Sequence, residues 1–173
     1  MSQATNNGAK HKETSQELRD GILEVSIVGT EFQLGEFEGA GMLPVRLEGV
    51  VFYRGGEQDG RLAGKYEEEL KPILDPVHGF VGTEGRSVFT FLHRDGGGEP
   101  TGTIVSENRS RIVGVQEGAM LVESVGTIVD GSRAYENVVG RLASSSSIVL
   151  GEDFVLNVDL KLSYSIPRPH FHP

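Results

Sequence analysis

Hydrophobic and polar residues alternate with a period of two along most of this chain, from Ile22 onwards. The clearest example is 153–164, whose apolar face consists of Phe154, Leu156, Val158, Leu160, Leu162 and Tyr164. Such alternation is typical of a half-buried antiparallel strand. The same period predicts eight strands, at 22–33, 44–55, 61–70, 85–94, 101–113, 119–130, 138–149 and 153–165.

Short glycine-containing turns separate these strands, as at 54–60, 94–100 and 116–118. The connections leave no room for crossover helices, so neighbouring strands are expected to pair antiparallel. We therefore predict an all-β fold, an eight-stranded antiparallel up-and-down barrel of the calycin-like kind. Closure favours the barrel because it removes exposed sheet edges. A two-sheet sandwich is the alternative.

The segments that flank the barrel domain, 22–165, differ from it in composition. Residues 1–21 are mostly polar and are expected to be flexible and to be a candidate lid, with a short helical turn at 15–21 that Gly21 ends. Residues 166–173 are expected to be a flexible tail. Within the domain, 71–82 contains two prolines, which predict a loop folded over a barrel mouth.

Composition and charge exclude several classes of function. The 173-residue chain carries 25 acidic and 16 basic residues, a net charge of −9 that argues against a nucleic-acid partner. It has no cysteine, which excludes thiolate catalysis and disulfides and fits a cytoplasmic location. We expect no contact with membranes, because no apolar run reaches the ~18 residues of a membrane span and the first residues lack the apolar core of a signal peptide.

Strand 101–113 alternates in an unusual way. Its charged residues share one face, so the inward face is expected to hold Ile104, Ser106, Asn108, Ser110 and Ile112. Buried polar groups are costly unless something satisfies them, which indicates a lined cavity. Ser106, Asn108 and Ser110 could bind a carbonyl-rich substrate, or could hydrogen-bond one another around trapped water.

Four inward residues are candidates for chemistry: Glu68, Tyr66, Tyr53 and Asn108. Glu68 is an acid on a face that is otherwise apolar or aromatic, which suits a general acid or a hydrogen-bond donor to a carbonyl. The alternative is that Glu68 reaches solvent at a strand end or pairs with an arginine. Tyr53 and Tyr66 could bind a polar ligand head, or could satisfy backbone carbonyls.

Alternation also predicts residues that would shape a binding site. The candidates for substrate binding are Ser106, Ser110, Phe89, Phe91, His93, Val51, Met120, Ser124 and Leu142. His93 lies at a strand end and could instead be solvated at the rim. The same alternation places Leu62 on the inward face of strand 61–70.

No cofactor or metal site is predicted. The glycines at 96–98 are followed by Glu-Pro and open no helix, so they do not form a phosphate-binding loop. His170 and His172 have the spacing of a metal clamp, but no third ligand lies near them in the sequence, and a disordered tail is the preferred interpretation.

The segment 125–142 resembles a recurring element of the allene oxide cyclase/dirigent-like barrels. In that family a strand ends in a glycine-rich turn, followed by an aromatic residue and by a glycine that opens the next strand. Here Gly126, Gly131, Tyr135 and Gly140 occupy these places. The absence of cysteine and of a secretion signal makes the chain most similar to the bacterial members, the barrel cyclases of polyketide pathways. Some of these form spirotetronate or spirotetramate rings by [4+2] cycloaddition.

The resemblance implies a cofactor-free cyclase that folds an apolar, polyene-like or polyketide-like substrate with a polar carbonyl head and promotes ring formation. The alternative is a barrel that binds or carries a small apolar ligand without turnover. Apolar side chains on outward faces favour a homo-oligomer, with a dimer preferred: Val50, Phe52, Val88 and Leu92.

Overall fold

The computed structural model of the protein describes residues 18–34, 45–93, 99–150 and 154–167. Eight strands make up nearly all of this part of the chain. They are β1 (Leu18–Leu34), β2 (Val45–Tyr53), β3 (Leu62–Asp75), β4 (Gly79–Phe91), β5 (Gly102–Gln116), β6 (Ala119–Arg133), β7 (Val139–Val149) and β8 (Val155–Pro167). The predicted number of strands is confirmed.

The strands close into a barrel in their order along the chain. Each strand pairs antiparallel with the next, and β1 pairs with β8 from Leu18 opposite Pro167 to Val28 opposite Asn157. Every strand therefore has two hydrogen-bonded neighbours, which leaves no open sheet edge. The predicted up-and-down barrel is confirmed and the sandwich is excluded.

The predicted helical turn at 15–21 is wrong for its described part, since residues 18–21 belong to β1. Gly21 does not end a helix. It pairs with Tyr164 of β8, and a Cβ at position 21 would overlap the tyrosine ring. The glycine is therefore needed for close packing inside the barrel. Of the predicted lid, 1–21, and the predicted tail, 166–173, residues 1–17 and 168–173 lie outside the described residues, whereas 18–21 belong to β1 and 166–167 to β8.

The predicted loop at 71–82 is also wrong, because β3 and β4 continue as a paired hairpin up to Asp75 and Gly79. Pro72 lies opposite Thr83 of β4, whereas the described pairing of β3 with β2 ends at Leu70. Pro72 therefore has a described strand neighbour on one side only, as is usual for proline in a sheet. Asp75 Oδ1 accepts the backbone N–H groups of His78 and Val77, each at 2.8 Å. These bonds close the turn and lower the pKa of Asp75.

A bulge between β2 and β3 corrects the predicted position of Leu62. Val51 pairs with Gly64 but Phe52 pairs with Leu62, so Ala63 is an extra residue in the ladder. Alternation is shifted by one at this point. Ala63 is fully buried, and Leu62 is exposed.

The barrel interior has two parts. In the half that contains the β2–β3, β4–β5 and β6–β7 connections, side chains fill the space, and Phe89, Phe91, Ile104 and Leu162 are almost completely buried. An aromatic series crosses this half, with ring-centroid distances of 5.3 Å from Phe91 to Tyr135 and 6.0 Å from Tyr135 to Tyr164. The other half contains a cavity.

No helix among the described residues is long and apolar enough to span a membrane.

Candidate functional site

The cavity has a volume of about 210 Å³ and extends to the end of the barrel that carries the β3–β4 hairpin. All eight strands contribute to its wall. Aliphatic and aromatic side chains predominate, among them Phe32, Leu47, Leu70, Phe80, Leu156, Val158 and Leu160. Glu68 is the one carboxyl among the described lining residues. An apolar pocket with a few convergent polar groups is the usual form of a small-molecule site.

A hydrogen-bonded cluster forms the floor of this cavity and joins three neighbouring strands. Glu68 Oε1 accepts a hydrogen bond from Ser87 Oγ at 2.9 Å and one from Asn108 Nδ2 at 3.2 Å. Glu68 Oε2 accepts a third from the Tyr66 hydroxyl, and Asn108 Nδ2 also donates to Ser87 Oγ. The carboxyl group is thus held by three side chains, which restricts its orientation toward the cavity.

The pKa of Tyr66 in this cluster is strongly perturbed. Burial of its side chain is the largest cause, and it raises the pKa of Tyr66 well above the usual tyrosine value. The negative charge of Glu68 and the hydrogen bond to it act in the same direction, whereas the hydrogen bond with Ser87 has the opposite effect. Tyr66 therefore keeps its proton and acts as a hydrogen-bond donor.

Two buried polar atoms at the floor have no hydrogen-bond partner among the described residues: Ser106 Oγ and Asn108 Oδ1. Ser106 is completely buried and Asn108 is 8% exposed. Gly126 of β6 pairs with Asn108, and a Cβ at position 126 would overlap Asn108 Oδ1. The glycine therefore leaves room for this oxygen. Unsatisfied buried acceptors are rare and require an explanation, such as a bound water or ligand.

The structure brings together three of the four residues predicted for chemistry, Glu68, Tyr66 and Asn108. Ser106 lies beside them and pairs with Ser87. Four of the residues predicted for substrate binding line the cavity: Ser110, Met120, Ser124 and Leu142.

The other predicted site residues lie away from the cavity. Val51, Phe89 and Phe91 are fully buried in the packed half of the barrel. Phe89 supports the floor from below, since its ring centroid lies 5.2 Å from that of Tyr66. Tyr53 lies at the β2–β3 connection, where its N–H donates to the Arg61 carbonyl at 2.9 Å. His93 is exposed beyond the end of β4.

The period of two puts Ser87 on the inward face of strand 85–94 together with Phe89 and Phe91, but the sequence predicted no role for it. It is almost completely buried and links Glu68, Tyr66 and Asn108. The sequence did contain a signal for this role of Ser87. It is a hydroxyl residue on the same face of the strand as Phe89 and Phe91. A polar residue in an aromatic stripe requires a polar partner.

Comparison with known proteins agrees with this architecture at the level of the fold. The barrel is similar to the solved structure of the pterocarpan synthase dirigent protein GePTS1, with a TM-score of 0.62 and 15% identity over 88% of this chain and 93% of that chain. The fold is a dirigent-like barrel. The pterocarpan synthase dirigent protein PsPTS1 is similar too, with a TM-score of 0.56 and 18% identity over 88% and 97% of the two chains. The sequence matches no family model and no curated protein.

Proposed function

We propose that this protein is a cyclase of natural-product biosynthesis, which holds a small, largely apolar substrate in the barrel and promotes intramolecular ring formation. One observation carries the proposal: the apolar cavity has a single described carboxyl at its floor, held by three hydrogen-bond donors. Similarity to two dirigent proteins described as pterocarpan synthases supports it, since a synthase function occurs on this fold.

The first contribution to catalysis is positioning. A substrate confined between Leu47, Leu142 and Leu160 has few accessible conformations, and ideal orientation of reacting groups can supply up to about 7–11 kcal/mol. The cavity, at about 210 Å³, is smaller than the roughly 300–1,000 Å³ of pockets that enclose a drug-sized ligand. It therefore accommodates the part of the substrate that forms the ring, and the remainder extends through the mouth beside Phe80 and Pro72.

The second contribution is a proton-transfer group beside the substrate. Glu68 accepts a proton from the substrate, or returns one to it, while Tyr66, Ser87 and Asn108 keep the carboxyl group in place. Tyr66 remains protonated and stabilises negative charge on Glu68 through its hydroxyl. A positioned acid–base group contributes typically 10²–10⁴-fold to a rate.

The finer form of the proposal is a [4+2] cycloaddition of a polyene-like polyketide. That reaction needs no cofactor and no proton transfer, so Glu68 would contribute a hydrogen bond only. The two routes make different predictions for Glu68→Gln, which keeps the shape of the side chain and removes its basicity. Loss of about 10²-fold or more in kcat indicates proton transfer. Loss of about tenfold or less indicates positioning and hydrogen bonding, as in a pericyclic step.

The direct test incubates the purified protein with a linear polyene that carries a tetronate ring and, separately, with an open-ring precursor of the pterocarpan skeleton. Chiral chromatography coupled to mass spectrometry records the products. We expect one of the two to be converted into a single stereoisomer of a ring-closed product faster than in a protein-free control. A matched control variant is Glu67→Gln, since Glu67 neighbours Glu68 but its side chain is exposed on the outer face of the same strand.

The carrier function is the competing outcome. A carrier binds these molecules and returns them unchanged, and it tolerates both Glu68→Gln and Tyr66→Phe. Binding of both substrates without any ring closure would replace the cyclase proposal by the carrier.

A further inference from the structure

A short charge pattern recurs on three successive strands of the barrel. An acidic residue, an inward-facing position and a basic residue follow one another at 69–71 of β3, 84–86 of β4 and 107–109 of β5. The side chains of a strand alternate between its two faces, so both charges of each triplet lie on the same face. All of them are exposed on the outer wall of the barrel.

The antiparallel order of the strands turns this pattern into a checkerboard of charge. Every triplet reads from acidic to basic, but neighbouring strands run in opposite directions, so each basic residue lies opposite an acidic one. The register pairs are Glu69 with Arg86, Lys71 with Glu84, Arg86 with Glu107, and Glu84 with Arg109. We call these six residues the charge checkerboard.

Most charges of the checkerboard are not paired within the chain. Glu69 Oε2 lies 3.7 Å from Arg46 Nη2 of β2. The other five residues form no ion pair with any residue that the structure describes. Water screens neighbouring charges on an exposed sheet, so each gains little from the other within one chain. Their charged groups therefore remain available to a partner.

The outer wall around the charge checkerboard is electrically neutral. The checkerboard has three residues of each sign. The charged residues that flank it on the same wall also cancel: Arg46, Arg141, Glu48 and Glu67. The net charge of −9 is therefore carried by the rest of the chain. Two copies of the protein repel each other least when they approach through this wall.

We propose that the charge checkerboard is the contact face of a homodimer with a twofold axis. The axis lies in the face and crosses β3, β4 and β5 between the two charged residues of each triplet. Rotation about it places each triplet against the same triplet of the second copy, in the opposite direction. Glu84 then meets Arg86 of the second copy, and Arg86 meets Glu84 of the second copy. The triplets of β3 and β5 make the same two contacts, so only opposite charges face each other.

An axis along the strands, between β3 and β4, is less favourable. It would pair these two strands with each other and leave the charges of β5 without free partners. Arg109 would meet no acidic residue of the checkerboard, and Glu107 would meet Arg46, which already pairs with Glu69. The axis across the strands uses all six charges.

The dimensions of the wall suit a dimer. From β2 to β7 it is five strand spacings wide, about 24 Å. This width is comparable with the side of the ~800 Å² patch that each partner buries in a standard interface. The wall is concave, which leaves room for long side chains. Stacked sheets lie about 10 Å apart, a gap that a glutamate and an arginine reaching from opposite sides can close.

The sequence predicts a homo-oligomer through outward apolar residues. In the structure these residues are half-buried: Val50, Phe52, Val88 and Leu92. The proposal keeps the dimer and assigns its contact to charged residues.

The proposed contact face lies directly behind the floor of the cavity. Glu68, Ser87 and Asn108 are chain neighbours of checkerboard residues and point to the inside of the same three strands. A second copy packed on the outer wall would therefore restrict the strands that position the floor. The dimer does not depend on the cyclase function, and its test uses no substrate.

Sedimentation velocity measures the dimer and its dependence on salt. We expect dimers at about 0.1 M salt, where the Debye length is ~10 Å, and monomers at about 1 M salt, where it is ~3 Å. A wild-type protein that is monomeric throughout the micromolar range at the lower salt concentration would contradict the proposal. A dimer that is unaffected by salt would contradict the role of the charges.

Two charge reversals on β4 test the position of the axis. Arg86→Glu makes acidic residues face each other at both β4 contacts, and Glu84→Arg makes basic residues face each other there. The dimer Kd of each variant should rise at least about a hundredfold, because like charges that face each other in an interface repel strongly. In an equimolar mixture every β4 contact again joins opposite charges. A heterodimer should therefore form, and native mass spectrometry identifies it by its mass.

Lys65→Glu is the matched control for net charge. It makes the same charge change as Arg86→Glu at an exposed position of β3 outside the checkerboard, and it should remain dimeric. Repulsion within each chain is the same in the mixture as in the single variants, so recovery of a dimer reports the contact between chains. Urea unfolding shows whether each variant is folded. If a β4 variant unfolds, Glu107→Arg mixed with Arg109→Glu repeats the test on β5.

The outcomes separate the face from the axis. If Arg86→Glu dimerises like the wild type, the charge checkerboard is not the contact face. If both folded variants are monomeric alone and remain monomeric when mixed, the proposed axis is wrong. A heterodimer in the mixture, with Lys65→Glu still dimeric, supports both.

Discussion

Asn108 Nδ2 lies 3.2 Å from Glu68 Oε1, and the bond joins two residues that are 40 positions apart in the chain. They meet because β3, β4 and β5 are successive antiparallel strands, with Ser87 of β4 directly opposite Glu68. A shift of one residue in either ladder would turn one of these side chains to the outer face. The site therefore depends on the register of three strands.

Replacing Asn108 by aspartate should make folding strongly dependent on pH. The substitution keeps the shape of the side chain but places a second carboxyl beside Glu68. Two carboxyls at this distance share one proton, which raises the pKa of the pair in the folded state. The stability of the variant should be largest below about pH 4, the range of unfolded carboxyls, and should decrease as pH rises through the raised value.

Urea unfolding of Asn108→Asp between pH 3 and pH 8 measures this effect. The double variant Glu68→Gln/Asn108→Asp is the control, since it removes the carboxyl pair and should remove the additional pH dependence. A flat profile for the single variant would contradict the contact between the two side chains.

The buried hydroxyl of Tyr66 predicts a loss of stability in alkali. Because its pKa is raised in the folded protein, the folded state holds the proton more tightly than the unfolded state does. The associated stability is complete below about pH 10, the value for an unburied tyrosine, and decreases as pH rises further. Tyr66→Phe should remove this part of the decrease. Thermal unfolding of both proteins between pH 8 and pH 11 provides the measurement, and parallel curves would contradict the assignment.

Gly126 leaves the space into which Asn108 Oδ1 fits. Gly126→Ala should destabilise the protein by about 1–3 kcal/mol, because the new Cβ overlaps Asn108 Oδ1 and also approaches the Glu107 carbonyl to 2.7 Å. Gly114→Ala is a matched control on β5, since a Cβ there meets nothing closer than a Leu121 carbon at 3.9 Å. Chemical denaturation should show a clear loss for the first variant and little change for the second.

Leu142 and Leu162 separate the two halves of the barrel. They are register partners on β7 and β8, but Leu142 lines the cavity, whereas Leu162 is fully buried in the packed core. Leu142→Phe should place its ring in free space and abolish turnover in the proposed cyclisation with less than about 1 kcal/mol of destabilisation.

Leu162→Phe should overpack the core and cost about 1–3 kcal/mol. Turnover assays and urea unfolding of both variants provide the comparison. Equal destabilisation by the two substitutions would mean that the cavity is not free space.

The alternation of residues was sufficient to predict the strands, the barrel and the inward face of most strands. Leu47, Tyr66 and Asn108 point inward as the period of two requires. It failed at Ala63, because a bulge arises from the pairing of two strands and leaves no mark on the period of either one. The prediction also failed at the β3–β4 hairpin. The two prolines there predict a loop, whereas the strands continue to a turn that Asp75 closes.

The position of a residue along the barrel axis was not predictable in this way. Phe89 and Leu142 both point inward, yet only Leu142 reaches the cavity. The period of two indicates on which face of a strand a residue lies. It does not indicate how far along the barrel axis the residue lies, because that depends on the register between strands. The signal that was available is side-chain size, since the cavity lies where serines replace large residues, as at Ser110 and Ser124.

The pairing of Leu18 with Pro167 brings the two ends of the described chain side by side. Because the strands form a closed ring, no strand is the first or last in the sheet. The position of the chain termini is therefore not dictated by the pairing of the strands. A short linker between these ends, with new termini opened at the exposed Glu117–Gly118 turn, would give a circular permutant in which every strand keeps both neighbours. In such a permutant the termini would move to the end of the barrel that holds the cavity, where a fused reporter could sense its occupancy.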